Sequence, residues 1–250
     1  MQPASDTKHH KLIHCTLGKY SFNLIQRDEH GVSNGTTLWL GGQILCAYLL
    51  SVKLGGARVI EFGSGTGLTA LCLAQLGCTV VATDLPWVID KCLAQNIASN
   101  SHAPGTVLVR QLDWTVPPTR WLWDHPTIIA SPEHIPETEQ RLATPFSLIV
   151  SADTIYSADL ISPLLRSIHA VVHAAGSSSS RFPTVLICLE RRDPLLVDQA
   201  LKEATDAWGL TVTRVPATKI AKAVEKTLKW DRSEWEGVEI YKLVTRLNKQ

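Results

Sequence analysis

The sequence contains no C-x-x-C pair: its six cysteines, Cys15, Cys46, Cys72, Cys78, Cys92 and Cys188, are scattered, most of them among apolar residues. That spacing speaks against zinc ribbons, redox motifs and a disulfide framework, and fits buried thiols in a reducing compartment. No apolar run reaches the roughly 18 residues that a membrane helix needs, and Met1 to Lys11 is polar, without the apolar centre of a signal peptide. Net charge is only +1, so no global field draws the chain to nucleic acid or to an anionic membrane. His169 and His173 stand one helical turn apart, but no Glu follows the first as H-E-x-x-H requires, so the pair reads as a helix face and no metal site is expected. The expectation is therefore a cytoplasmic protein without membrane or direct nucleic-acid contacts, and a monomer. Hydrophobic residues make up 45% of the 250 positions, enough for one core, and a single domain over 1–250 is expected.

The chain is arranged around Val59-Ile60-Glu61-Phe62-Gly63-Ser64-Gly65-Thr66-Gly67. A short apolar run meets a glycine turn that bends too tightly for a Cβ and points amides at a ligand. Leu68 to Leu76 then reads as a helix. The third glycine comes one residue early for the G-x-G-x-x-G dinucleotide fingerprint, which favours another nucleoside ligand over NAD. Seventeen residues past Gly67, the run Thr79 to Thr83 ends in Asp84, where a carboxylate can grip ribose hydroxyls.

Residues 1–16 read as a loose tail, and 17–57 as a lead-in. The lead-in holds a strand over Tyr20 to Ile25 and a helix capped by Thr36 or Thr37, which Gly55-Gly56 stops. Pro86 to Ile97 reads as a helix, and Val107 to Leu112 as a third strand. Residues 115–144, with five prolines and Trp121 and Trp123, break the alternation and read as an insertion whose tryptophans could anchor a partner or cover the core. The strand Phe146 to Val150 leads into Asp153-Thr154-Ile155-Tyr156 and a helix near Leu160 to Ala175. Ser177 to Ser180 reads as a surface loop. The strand Thr184 to Leu189 and a helix over Asp193 to Trp208 follow. Two closing strands, Leu210 to Val215 and Val238 to Thr245, have no long helix expected between them. The lysines at 219, 222, 226 and 229 read as a solvated face. This order predicts an α/β fold: a Rossmann-like, mostly parallel sheet with helices on both faces and an antiparallel C-terminal hairpin.

The glycine turn and Asp84 resemble the seven-strand S-adenosylmethionine methyltransferases. With Leu38-Trp39, Leu112-Asp113-Trp114 and Asp153-Thr-Ile-Tyr156 added, the chain is similar over roughly Phe22 to Leu247 to methyltransferase family 16, which acts mostly on protein lysines. Gly35-Thr-Thr-Leu-Trp-Leu-Gly-Gly-Gln43 and Trp235-Glu-Gly-Val-Glu-Ile-Tyr241 look most similar to the fungal branch that methylates translation elongation factor 1-alpha. The resemblance implies S-adenosylmethionine as cofactor, contacts to it from Trp39, Gly63, Ser64, Gly65, Asp84, Trp114 and Ala152, and elongation factor 1-alpha as the protein partner. The adenine edge would be served by Asp113 or by the Trp114 amide. At the chemical step, Asp153 would orient the target amine and Tyr156 would wall its channel. The tetrad is not the N-P-P-Y of base and glutamine methyltransferases. The alternatives are transfer to another protein, a small molecule or RNA, and a cofactor-binding module without turnover.

Overall fold

The computed structural model describes residues 4–27, 34–136, 140, 142, 145–176 and 182–245. After a short helix α1 (Ala4–Thr7), alternating apolar residues build an antiparallel hairpin, β1 (Leu12–Leu17) and β2 (Tyr20–Ile25). The tail expected over 1–16 is thus shorter than that. Ile13, Cys15 and Leu17 alternate into a cluster with Phe22 and Leu24, and a strand with one buried face pairs rather than dangles.

Helix α2 (Leu40–Leu49) starts later than a threonine cap would place it. Thr36 is buried and its hydroxyl donates to the Arg27 carbonyl, while Trp39 takes the extended N-cap position. The core then follows: β3 (Arg58–Phe62), α3 (Leu68–Gln75), β4 (Thr79–Asp84), α4 (Pro86–Val88), a π-turn over Ile89–Leu93, α5 (Ala94–Ser99) and β5 (Thr106–Leu112). The second half holds β6 (Ile128–Ala130), β7 (Leu148–Ala152), α6 (Ala158–Gly176), β8 (Thr184–Glu190), α7 (Pro194–Asp206), β9 (Leu210–Arg214), α8 (Ala217–Leu228) and β10 (Val238–Thr245).

The main sheet runs β6-β5-β4-β3-β7-β8-β10-β9. Strands β6 to β8 are parallel, and β10 lies antiparallel between β8 and β9. Helices α6 and α7 pack on one face and α2, α3 and α8 on the other. Two details differ from expectation. A 12-residue helix does separate the last two strands, because Ile220, Ala223 and Val224 bury one stripe of α8 while Lys219, Lys222 and Lys226 face solvent.

The second difference lies in the insertion, which adds an eighth strand, β6, beside β5. Trp121 is 1% exposed, donates its indole N–H to the Val116 carbonyl at 3.2 Å and meets Trp123 edge-on at 5.4 Å. Arg110 gathers the carbonyls of Leu122, His125 and Ile128. Trp121 belongs to the core and Trp123 packs half-buried against it, since an apolar ring of this size is worth more under the sheet edge than in water.

Candidate functional site

Parallel strands deliver their carboxyl ends to one edge of the sheet, and there Asn34, Gly35, Trp39, Gly63, Gly65, Asp84, Trp114, Ala152, Asp153, Thr154, Tyr156 and Arg192 line a cleft. It holds about 600 Å³ of atom-free space, part of it open solvent. Every expected site residue is in this lining except Ser64 and the adenine-edge candidate Asp113. Ser64 stands in an adjoining recess with Glu61, Thr66 and Thr69, and its Oγ accepts the Thr83 amide at 3.0 Å. The recess and the cleft share Trp39, Gly63, Gly65, Ala152 and Asp153.

At Gly63 the backbone has φ +69°, and a Cβ would stand 2.7 Å from the Thr154 methyl and 3.3 Å from the Trp114 ring. Only glycine lets the floor of the cleft pass beneath that indole. Asp84 accepts the Gly65 amide at 2.8 Å on one oxygen and the Leu85 amide at 2.8 Å on the other. Burial pushes its carboxyl up to about 6, against the pull of those two amides. Glu61, at the end of β3, is 1% exposed and its Oε2 has no hydrogen-bond partner among the described residues. Burial pushes it up to about 8, opposed by hydrogen bonds from Ser64 and Thr69 and raised further by the charge of Asp84. A buried carboxyl with an orphan oxygen beside a recess is a receptor for a cation. The buried Trp114 indole nitrogen likewise has no hydrogen-bond partner among the described residues. Asp113 is not in the cleft lining; its Oδ1 is taken by the Thr115 amide at 2.8 Å and hydroxyl at 2.7 Å.

Asp153 has the left-handed φ of 53°. Its Oδ2 accepts the Gly41 amide at the start of α2, at 2.7 Å, and its Oδ1 accepts the Glu190 amide at the end of β8, at 3.0 Å. A Cβ on Gly41 would fall 2.5 Å from Oδ2, so glycine is required for this approach. Burial raises the Asp153 carboxyl, and the charge of Arg192 is among the influences pulling it back. Tyr156 is 50% exposed at the cleft. Burial, then the charge of Asp84, raises its hydroxyl. Sequence reasoning passed over Arg192, two residues beyond the end of β8. The rule that ligand-facing residues follow strand ends would have found it. Among the described residues, no group of three His, Cys, Asp or Glu could hold a metal.

This sheet, with a glycine turn after β3, an acid closing β4 and a cleft at the carboxyl edge of its parallel strands, has the fold of known methyltransferase structures. A methyltransferase from Pyrococcus furiosus superposes with a TM-score of 0.53 at 14% identity, covering 90% of each chain. Residues 19–131, which carry Trp39, the glycine turn, Asp84 and Trp114, match the model of a family described as lysine methyltransferase. Among curated relatives, mouse (Mus musculus) methyltransferase-like protein 22 is 26% identical over 170 residues, 63% of this chain and 39% of its own length. Protein-lysine N-methyltransferase EFM6 of Saccharomyces cerevisiae is 27% identical over 177 residues, 63% of this chain and 64% of its own length. The chain spans about two-fifths of the length of the first curated relatives it matches.

The residues present fit S-adenosylmethionine. Asp84 suits a ribose diol, the Trp114 wall suits adenine, and the orphan Glu61 oxygen beside the recess suits an ammonium.

Proposed function

We propose that this protein transfers a methyl group from S-adenosylmethionine to the side-chain amine of a lysine in a protein, and that the substrate is translation elongation factor 1-alpha. The observation that carries the transfer reading is Asp84, Asp153 and Tyr156 lining one cleft within a chain whose residues 19–131 match the lysine methyltransferase family. The substrate reading rests on the similarity of Gly35 to Gln43 and Trp235 to Tyr241 to the elongation-factor branch. In this reading the enzyme works as a monomer in the cytoplasm.

Trp39, Gly63, Gly65, Asp84, Trp114 and Ala152 would hold the cofactor in the cleft, with Ser64 shaping the adjoining recess. The bound sulfonium supplies an already activated methyl group. The protein has three remaining tasks: to admit the amine, strip its proton and align it. Asp153 spends one lone pair of each oxygen on Gly41 and Glu190 and keeps the others, so it can fix the target amine while its own position is locked by α2 and β8. The half-exposed Tyr156 ring walls the approach and favours a cationic centre over its face. Burial beside that ring and the positive charge of a bound sulfonium would lower the amine's pKa from its usual value near 10.4, so that the amine can give its proton to solvent before it accepts the methyl group.

The experiment is incubation with labelled S-adenosylmethionine and recombinant elongation factor 1-alpha, with the modified residue mapped by mass spectrometry. Asp153→Asn should bind cofactor and lose on the order of 10²-fold or more in rate. A folded Asp153→Asn protein with wild-type turnover would remove this residue from the chemistry, and label appearing only on small molecules or RNA would overturn the lysine reading.

A further inference from the structure

The sheet order divides the cleft. Gly63 and Trp114 follow β3 and β5 and Asp84 closes β4 on one side, while Asp153 and Tyr156 follow β7 and Arg192 follows β8 on the other. The first half carries the residues suited to a nucleoside, so the methyl acceptor enters over β7 and β8. The charged side chains that line the cleft itself are Asp84, Asp153 and Arg192. Asp84 suits the ribose and Asp153 the target amine, which leaves Arg192, on the acceptor side, as the one cationic side chain of the cleft lining among the described residues.

How Arg192 is held shows what it can do. Its guanidinium carbon lies 4.4 Å from the centre of the Trp39 ring, and its Nε and Nη2 both donate to Glu190 Oε2, the former at 2.8 Å. The stack and the ion pair fix the head group without consuming it. A guanidinium has five N–H donors in a plane, and Nη1 makes no hydrogen bond among the described residues. The side chain is 48% exposed, so an incoming carboxylate can reach it without displacing Glu190.

We infer that Arg192 is a specificity-determining residue that reads a carboxylate beside the target amine, so that the substrate class is a lysine with an Asp or Glu neighbour. This rests on the lysine-transfer reading. A bidentate contact from the free edge of the guanidinium would register the acceptor, while Asp153 and Tyr156 align the amine itself. A lysine in a basic surrounding would bring further positive charge up to the Arg192 head group and no carboxylate for its free donors, and like charges brought together oppose docking.

The test uses the full-length protein, labelled S-adenosylmethionine and a cytosolic protein extract, with the modified lysines mapped by mass spectrometry. Lysines modified by the wild-type enzyme should have an Asp or Glu adjacent in sequence or on the surface. Arg192→Glu and Arg192→Gln should lower kcat/KM on those sites by about 10- to 100-fold, the worth of one charge-assisted hydrogen bond. Arg192→Lys should retain part of the rate. Replacing the substrate's neighbouring acid with Lys should restore activity to Arg192→Glu, which a merely structural role would not do. The shift in Tm that S-adenosylhomocysteine produces should match wild type in all three variants. Modified lysines without acidic neighbours, equal rates for Arg192→Glu, or loss of the cofactor-induced shift would overturn this inference alone. No labelled lysine with the wild-type enzyme would overturn the transfer reading and this inference with it.

Discussion

Glu61→Gln is the substitution whose outcome follows most directly from the structure. The carboxyl sits at the end of β3, 1% exposed, with Oε2 unpartnered, and burial holds it up at about 8 against an ordinary 4.5. In the unfolded chain the group ionises above 4.5, whereas in the folded, cofactor-free protein it stays protonated until about 8. The folded state therefore binds the extra proton, and stability falls as pH rises through that window. At roughly 1.4 kcal/mol per pH unit, the cost is nil below pH 4.5, about 3 kcal/mol at pH 7, and constant above about pH 8. Glutamine keeps the shape and removes the titration. It should raise the cofactor-free Tm at pH 7 by up to about 6 to 12 °C, less whatever its imperfect hydrogen bonding takes back, and change it little at pH 4.5. Scanning calorimetry across pH 4.5 to 8 measures this. With S-adenosylhomocysteine present the order should invert, because a neutral amide offers an ammonium no charge. A Glu61→Gln protein whose Tm change is the same at both ends of the pH range, or that gains as much from the ligand as wild type, would refute the reasoning.

Asp84→Ala should weaken binding of S-adenosylmethionine by roughly 1 to 3 kcal/mol in calorimetric titration and leave the protein without affinity for NAD; unchanged affinity in a folded variant would remove Asp84 from the site. Trp121→Ala should destabilise the fold by about 3 to 5 kcal/mol, read as a shifted denaturation midpoint; a shift under 1 kcal/mol would mean the insertion is not part of the core. Tyr156→Phe should keep most of the turnover while Tyr156→Ala loses far more, with cofactor-induced Tm shifts unchanged in both; equal losses would assign the work to the hydroxyl instead of the ring.

The sheet and half of the cleft were legible because they are written in local patterns. A short, largely apolar run, Val59 to Phe62, ending in glycines, and another ending in Asp84, each state a strand and the ligand-facing turn after it. The tetrad Asp153 to Tyr156 could be placed at a strand end, but not the use of the Asp153 oxygens. Those are taken by Gly41 and Glu190, distant in the chain and joined only by the packing of α2 against β8. Helix α8 was hidden because its apolar stripe is three small or branched residues set among lysines, a weak periodic signal that only the facing α2 completes. The insertion misled in the opposite direction. Its prolines announced an irregular path, but nothing local told that Arg110 would collect three of its carbonyls and draw Trp121 beneath the sheet edge.

The placement of β10 bears on how the molecule is made. This strand is later in the chain than β9 yet lies between β9 and β8, where Ile240 and Leu243 are fully buried. A nascent chain that has emerged only as far as β9 therefore has nowhere to dock that strand, and the flank of β8 stands open with its main-chain donors and acceptors unpaired. Such a flank invites pairing with other chains. Synthesis must pass Thr245 before β8 acquires its second neighbouring strand, so the protein completes its folding late, and substitutions in β10 should show themselves first as lost yield of soluble protein.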